Sequence, residues 1–487
     1  MNLKKTNLII SLMLAMFLAA VEGTIVTMAT PTIVKDLHGF DLISLVFSVY
    51  LLTSAISTPI YGKLSDLYGR KNVLSIGIAI FLTGSFLCGL SQNMLALIAF
   101  RAVQGLGAGA ILTVSFTIIG DVFPIEERSK VQGGLSTVWG IASLVGPFLG
   151  GFLIDVLSWH WIFFINIPFG LLAVILLQKS LKETFEKRKQ SIDYAGTITL
   201  SLAMVMFLSI FLFHQNTASS QYAFVAVAAV ITGLLLLAFY RIERRAKEPI
   251  VPFDIFTKTS TIVNLISFLV YAILVGIDVY MPLYLQNILG YRATVAGLAM
   301  LPMSVSWLMV SFTLGRFLIK YGGKAVTLVS SVILLISTVL LSTLGIDTPV
   351  LLVLAYGFII GIAFGGAGTA LTTIVQDSVE YNKRGSAVAA NSLLRTLGQT
   401  IGISVFGNIF NLHIAEYFSS RGMEGIDPND LYQSSGANNL LSADQVKLSL
   451  SSSMHALFMV FIIISCLSLV LSIIMPKIKQ KEKSEAA

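Results

Sequence analysis

Long apolar segments separated by short polar breaks recur along the whole 487-residue chain. Each is about 20 residues long, the length that an α-helix needs to cross roughly 30 Å of hydrocarbon. These segments and their breaks predict fourteen membrane-spanning helices in an all-α polytopic membrane protein. The predicted spans are residues 8–30, 42–61, 73–91, 95–119, 133–156, 161–178, 194–213, 221–240, 261–286, 293–315, 325–344, 349–374, 386–411 and 455–475.

Composition and charge placement agree with this prediction. Charged residues make up 12% of the chain, whereas soluble domains carry about 25%. If both termini are cytoplasmic, most Lys and Arg residues fall in cytoplasmic loops, as the positive-inside rule requires. We therefore expect a multi-pass protein of the cell membrane with both termini in the cytoplasm. Because the net charge of +7 is spread over short clusters between spans, the expected partner is the lipid bilayer and not nucleic acid.

Several kinds of chemistry are not expected from the sequence. Cys88 and Cys466 lie within apolar segments, so we interpret them as small buried side chains and not as a disulfide or a metal site. The sequence contains no phosphate loop, nucleotide motif, Ser/His/Asp arrangement or metal-ligand cluster. It therefore predicts no enzymatic activity, no metal and no cofactor.

One polar segment occurs twice. "GKLSDLYGRK" at 62–71 and "GRFLIKYGGK" at 315–324 share a glycine spacing and a final Lys, at an offset of 253. "ERSKVQGGLSTVWGIASLVGPFLGG" at 127–151 matches "KRGSAVAANSLLRTLGQTIGISVFG" at 383–407, at an offset of 256. Two such copies are typical of transporters with a site between the halves. The predicted units are a six-helix bundle (1–180), a linker with two inserted helices (181–258), a second six-helix bundle (259–476) with a long external loop (412–454), and a basic cytoplasmic tail (477–487).

These motifs together resemble the major facilitator superfamily and, within it, the fourteen-helix drug:proton antiporters. The resemblance implies the major facilitator fold, two six-helix bundles with two inserted helices. The matching segments are "GKLSDLYGRK", "RAVQGLGAG" (101–109), "GPFLGG" (146–151), "TIVTMATP" (24–31), "WHWIFFINIPFG" (159–170) and "DYAG" (193–196). The chain departs from the family pattern at Glu22, where Asp is usual, at His160, where Arg is usual, and at Ile319, where a second copy of Asp66 would fall.

Two structural devices are implied by the resemblance. The first is a cytoplasmic latch between the halves that stabilises the outward-open state, formed by Gly62, Asp66, Gly69, Arg70 and Lys71. From the residues alone, a tight turn that carries topology-setting charges is the alternative. The second device is an antiporter hinge in helix five, formed by Gly140, Gly146, Pro147, Gly150 and Gly151. A static packing seam explains these small residues nearly as well.

Four ionisable residues, Glu22, Arg101, Asp278 and Arg395, lie inside predicted spans, where a charge costs roughly 2.5–3.5 kcal/mol. Glu22 and Asp278 are equivalent in the repeat, and counting along the helices places both acids and Arg101 at a similar depth. We expect these three to couple protons and bind cations, with static ion pairs or snorkelling as the alternatives. Further residues expected to line the cavity are Trp139, Asn166, Tyr280, Gln286, Asn391, Arg395 and Gln399.

The sequence thus predicts a proton-coupled antiporter that exports amphipathic, mainly cationic compounds from the cytoplasm by alternating access. Its expected partners are small amphipathic substrates and protons, the proton gradient is its only driving force, and the resemblance implies a monomer. An exporter of lipids or anionic metabolites is the alternative, in which Arg101 and Arg395 matter more for binding than the acids. A membrane sensor that transports nothing is a third possibility, but no soluble effector domain is seen in the sequence.

Overall fold

The computed structural model describes residues 3–123, 125–181, 193–212, 218–246, 249, 253–380, 384–423, 431 and 442–476. These residues form helices almost throughout, as predicted. The α-helices are α1 (Leu3–Leu37), α2 (Ile43–Tyr68), α3 (Arg70–Gly89), α4 (Met94–Val122), α5 (Ile125–Val156), α6 (Trp161–Phe164), α7 (Asn166–Ser180), α8 (Tyr194–Leu212), α9 (Ala218–Glu243), α10 (Lys258–Leu283), α11 (Ala293–Leu341), α12 (Val350–Asp377), α13 (Arg384–Ser419) and α14 (Ala443–Ile474).

Eleven helices within the described residues are long and apolar enough to cross a membrane. One of them, α11, was predicted as two separate spans but is a single run of 49 residues. Gly322 divides it, because its φ of 80° and ψ of 158° are not helical. The shorter apolar stretch of α8 and the more polar α13 are not among the eleven. The total of fourteen spans therefore stays a prediction.

Helices α1–α7 pack into one bundle and α10–α14 into another, while α8 and α9 pack against each other, and α8 also touches α2 and α13. The internal repeat is visible in the backbone and in its side-chain contacts. Gly69, with φ of 91°, and Gly322, with φ of 80°, are equivalent glycines in the left-handed region. Lys71 Nζ donates to the carbonyl of Gln178 (2.8 Å), and the equivalent Lys324 Nζ donates to the carbonyl of Ile473 (2.7 Å). Each lysine thus holds the C-terminal end of the last helix in its own bundle, where a cation is favoured.

Several helices extend beyond the predicted spans. α2 runs on to Tyr68, so Gly62 lies inside a helix and the turn consists of Gly69 alone. The predicted loop at 412–454 begins and ends as helix, because α13 reaches Ser419 and α14 starts at Ala443. Ser442 and Gln445 form a capping box that fixes the start of α14. The tail at 477–487 and linker residues 182–192 lie outside the described residues.

The two bundles meet at one end of the molecule, which we call the closed end and define by Asp41, Asp155, Thr294 and Asn411. Asp155 Oδ2 accepts hydrogen bonds from the backbone N–H of Thr294 (2.9 Å) and from its hydroxyl (2.6 Å). The side-chain amide of Asn411 donates to the carbonyl of Asp41 (3.1 Å). In α11, residues 293–308 are largely covered, whereas most of residues 309–321 are exposed. The packing of α11 is therefore densest near the closed end.

Candidate functional site

Glu22 and Arg101 form an ion pair inside the first bundle. Their side chains are 0% and 1% exposed, and Arg101 Nη1 lies 2.5 Å from Glu22 Oε1. The same nitrogen donates to Gln104 Oε1 (2.7 Å), and Arg101 Nε donates to the carbonyl of Val46 (3.2 Å). The guanidinium also lies over the ring of Tyr50, 4.1 Å from its centroid. α1, α2 and α4 thus enclose a charge pair that is sealed from solvent.

The second carboxylate oxygen of Glu22 is also paired. Asn166, the first residue of α7, donates from Nδ2 to Glu22 Oε2 (2.8 Å) and to Ser85 Oγ (2.9 Å). Asn166 was predicted to line the cavity, but it is 1% exposed and serves as a partner of the acid. Because both carboxylate oxygens are bonded, a proton that reaches Glu22 must compete with Arg101 and Asn166 for it.

Asp278 has very different surroundings. From residue 272 to residue 285 of α10 and the π turn that follows it, every side chain is buried except that of Asp278, which is partly exposed. Among the described residues no hydrogen-bond donor or cation pairs with it. An acidic side chain without a partner inside a membrane bundle is costly, and the role of Asp278 stays a prediction.

The two acids lie at nearly the same depth. Gln286 Nε2 donates to the carbonyl of Met28 (3.0 Å), which fixes the level of α10 against α1. Glu22 lies six residues before Met28 and Asp278 eight before Gln286, or about 9 Å and about 12 Å at 1.5 Å per residue. That the two acids face each other across a shared cavity stays a prediction.

Arg395, the second intramembrane arginine, is only partly buried. Its Nη2 atom donates to Thr372 Oγ1 (2.6 Å) and to the carbonyl of Gly368 (3.1 Å), both on α12. The guanidinium lies over Tyr271 of α10, 4.7 Å from the ring centroid. No carboxylate of the described residues pairs with it.

The other predicted cavity residues divide into two groups. Trp139 is 43% exposed, and Gln399 is partly exposed one helical turn beyond Arg395. Tyr280 and Asn391 are buried and do not line an open space here. Tyr280 packs on Phe410 (5.0 Å between ring centroids), whereas Asn391 donates to Asn264 (2.7 Å) and Ser267 (2.9 Å) on α10. Their placement inside the second bundle follows from helix rotation, which apolar periodicity did not resolve.

The predicted latch residues make contacts within the first bundle. Arg70, at the start of α3, forms an ion pair with Asp121 near the end of α4, and Lys71 binds α7. Gly62 faces Thr113 of α4 at an ordinary contact distance. The side chain of Asp66 lies outside the described residues. A latch between the two bundles therefore stays a prediction.

The predicted hinge residues lie in two packing seams of α5. A Cβ atom at Gly146 or Gly150 would run into α1, at Thr24 or Ile25. One at Gly140 or Gly151 would run into α11, at Leu308 or the backbone of Ala293, and the carbonyl of Pro147 touches Gly297 of α11. Missing side chains allow this close approach. Motion at these seams stays a prediction.

Among the described residues, no group of three or more His, Cys, Asp or Glu side chains is placed to hold a metal ion. Cys88 is buried and 3.9 Å from Gln104, and Cys466 is exposed and free.

Comparison with known proteins places the chain in a family. A model described as "Major Facilitator Superfamily" matches residues 12–403. "Multidrug resistance protein 3" of Bacillus subtilis (strain 168) is 33% identical over 98% of this chain and 96% of its own length. "Multidrug efflux pump SdrM" of Staphylococcus aureus (strain N315) is 33% identical over 84% of this chain and 91% of its own.

Solved structures agree in fold at low sequence identity. A bacterial homologue of the human lysosomal transporter Spinster, solved in an inward-facing and unoccupied conformation, covers 97% of this chain and 98% of its own with a TM-score of 0.70 and 15% identity. A D-xylose-proton symporter covers 99% of both chains with a TM-score of 0.62 and 15% identity. These matches and the many apolar helices establish a multi-pass membrane protein, and the chain belongs to the Major Facilitator Superfamily.

Proposed function

We propose that the protein is a proton-coupled antiporter that exports amphipathic, mainly cationic drugs from the cytoplasm. Its relatives' names support drug transport, since two of them are called a multidrug resistance protein and a multidrug efflux pump. The observation that carries the proposal is Asp278. It is a partly exposed acid with no partner among the described residues, at a depth similar to that of the sealed Glu22–Arg101 pair.

The two acids have different roles in this proposal. A proton and a cationic substrate compete for Asp278, because one negative charge cannot be neutralised by both. Glu22 takes part through its proton and its pairing with Arg101, since nothing large reaches a fully buried carboxylate. Binding at Asp278 favours one orientation of the bundles and protonation favours the other, which couples the two gradients.

The proposed topology is fourteen spans with both termini in the cytoplasm and the closed end facing outward. Support comes from the placement of Lys and Arg along the chain and from Gly322, which divides α11 where a cytoplasmic break was expected. The fourteen proposed spans are the eleven long apolar helices, with α11 counted as two spans, together with α8 and α13. With the closed end outward, the described conformation receives substrate from the cytoplasm.

The coupling ratio has a physical consequence. One charge that crosses 100 mV gains about 2.3 kcal/mol. Exchange of one proton for one monovalent cation moves no net charge, so the pH difference alone would drive it. With two titrating acids, two protons per cation would also use the voltage.

The proposal is tested with purified protein in liposomes. We expect an imposed pH gradient to drive uptake of a cationic dye, and Asp278→Asn to abolish the driven uptake while the protein still reconstitutes. Asp347→Asn is the matched control, because Asp347 is exposed in a loop between α11 and α12. Driven transport by Asp278→Asn at the wild-type rate would refute the proposal.

Export of anionic compounds is the second candidate function. It is favoured by Arg395, whose guanidinium is partly open and has no anionic partner among the described residues. The same liposomes loaded with an anionic dye test it, and Arg395→Gln should then remove transport that Asp278→Asn leaves intact.

A further inference from the structure

Each bundle contains an acid and an arginine inside its apolar helices, but the contacts and the burial of these residues differ between the two bundles. In the first bundle Glu22 and Arg101 are in direct contact and fully buried. In the second bundle Asp278 and Arg395 are both partly exposed, and neither has a partner of opposite charge among the described residues. Separated charges in a low-dielectric interior are more costly than a contact pair. A ligand that supplies both missing charges would remove this cost.

The guanidinium of Arg395 has donors to spare. Both hydrogen bonds of the Arg395 side chain, to Thr372 and to Gly368, are donated by Nη2. Nε is buried and has no hydrogen-bond partner, and no described residue accepts a bond from Nη1. Nη1 is therefore the nitrogen of this guanidinium that can donate a charge-assisted hydrogen bond to an anion. Thr372, Gly368 and the Tyr271 ring hold the guanidinium in place.

The ring on which Arg395 lies and the unpaired acid share one face of α10. Tyr271 and Asp278 are seven residues apart, which places them about 20° from each other around the helix and about 10 Å apart along it. Since the guanidinium of Arg395 lies 4.7 Å from the Tyr271 ring, its positive charge is on the order of 10 Å from the Asp278 carboxylate. That distance is too long for a direct ion pair and fits a molecule with a charged group at each end.

We propose that Asp278 and Arg395 form a two-point site for zwitterionic amphipathic compounds. Asp278 takes the ammonium or other cationic end, Arg395 takes a carboxylate, and the apolar body lies along α10 between them beside Tyr271 and Gln399. This inference rests on the proposed function and narrows its substrate class. It predicts that a carboxylate on a cationic substrate is recognised and not merely tolerated.

The test uses two dyes that differ in one group. Rhodamine 110 carries a free carboxylate and a cationic ring system, and rhodamine 123 is its methyl ester, which keeps only the cation. Export of both by the wild type is measured in liposomes with an imposed pH gradient. Arg395→Gln should lower the ratio of free-acid to ester export about tenfold or more, the worth of a charged hydrogen-bonded pair. Arg395→Lys should recover part of that ratio, and Asp278→Asn should lower export of both dyes.

Arg421→Gln is the matched control. Arg421 lies on the ring of Tyr417 just beyond the end of the same helix, 3.6 Å from the ring centroid, but is exposed outside the candidate site. Its export ratio should equal that of the wild type. An equal loss of both dyes in Arg395→Gln would show a structural role and overturn the inference, as would wild-type protein that exports only the ester. Wild-type protein that exports neither dye under a pH gradient would count against the proposed function itself.

Discussion

At the residue scale, Glu22 and Asp278 are equivalent in sequence and opposite in surroundings, so their neutral variants should differ in stability. Glu22→Gln leaves Arg101 buried without its anion, and breaking one side of a buried ion pair costs about 3–5 kcal/mol. Asp278→Asn removes no hydrogen bond or ion pair among the described residues. We expect Glu22→Gln to lower the thermal unfolding temperature in detergent and Asp278→Asn to leave it near the wild-type value.

The double variant Glu22→Gln/Arg101→Gln provides the control for this prediction. It removes both charges, so it should recover part of the stability that Glu22→Gln loses. Equal unfolding temperatures for the two single variants would mean that the Glu22–Arg101 contact contributes nothing to the folded protein.

The charged residues of the candidate site could be predicted from the sequence, but most of their contacts could not. A charge stands out in an apolar span, and the repeat register paired Glu22 with Asp278. The partners come from other helices, and which side chains meet depends on how each helix is rotated. Gln104 was missed, although its position three residues after Arg101 puts it on the same helix face. The stacking of Arg395 on Tyr271 left no signal in the sequence.

At the element scale, the α5–α11 seam depends on the absence of side chains at Gly151 and Gly297. A Cβ atom at Gly297 would overlap the carbonyl of Pro147, and such overpacking costs about 1–3 kcal/mol. We expect Gly297→Ala to push α5 and α11 apart and to lengthen the distance between spin labels at Leu157 and Ile346, which are exposed beside the closed end. The labels require Cys88→Ser and Cys466→Ser.

Gly315→Ala is the control within the same helix. Nothing lies within 4 Å of a Cβ atom at Gly315, and Ala is the better helix former, so the label distance should not change. If Gly297→Ala also left the distance unchanged, the seam would not determine how closely the bundles approach.

The same elements show what hydropathy can predict. Apolar windows located the helices within the described residues, but α2 and α13 extend beyond the predicted spans. Their last turns contain polar residues, because a helix that continues outside the bilayer does not need apolar side chains. The π turn at Tyr284–Ile288 had no signal in the periodicity. The repeated glycine pattern, in contrast, predicted a break whose backbone is the same at Gly69 and Gly322, because both need a positive φ.

At the scale of the whole molecule, the two bundles have similar helix arrangements. They are in close contact at one end and less closely packed further along. The hydrogen bonds between Asp155 and Thr294 and between Asn411 and Asp41 fasten one end, and Trp139, halfway along α5, keeps 43% of its surface exposed. An alternating-access transporter must be able to exchange the open and fastened ends. In the proposed topology the described conformation is one of these two arrangements, with its fastened end facing outside.

This orientation predicts from which side of the membrane a reagent can reach each residue. In the cysteine-free background, Arg292→Cys should react with a membrane-impermeant maleimide in intact cells, and Arg384→Cys should react only in inside-out vesicles, because the two exposed arginines lie at opposite ends of the bundles. Trp139→Cys should follow Arg384→Cys when no substrate is present. If Arg292→Cys instead reacted only in inside-out vesicles and Trp139→Cys reacted in intact cells, the fastened end would be the cytoplasmic one, and the described conformation would release substrate instead of receiving it.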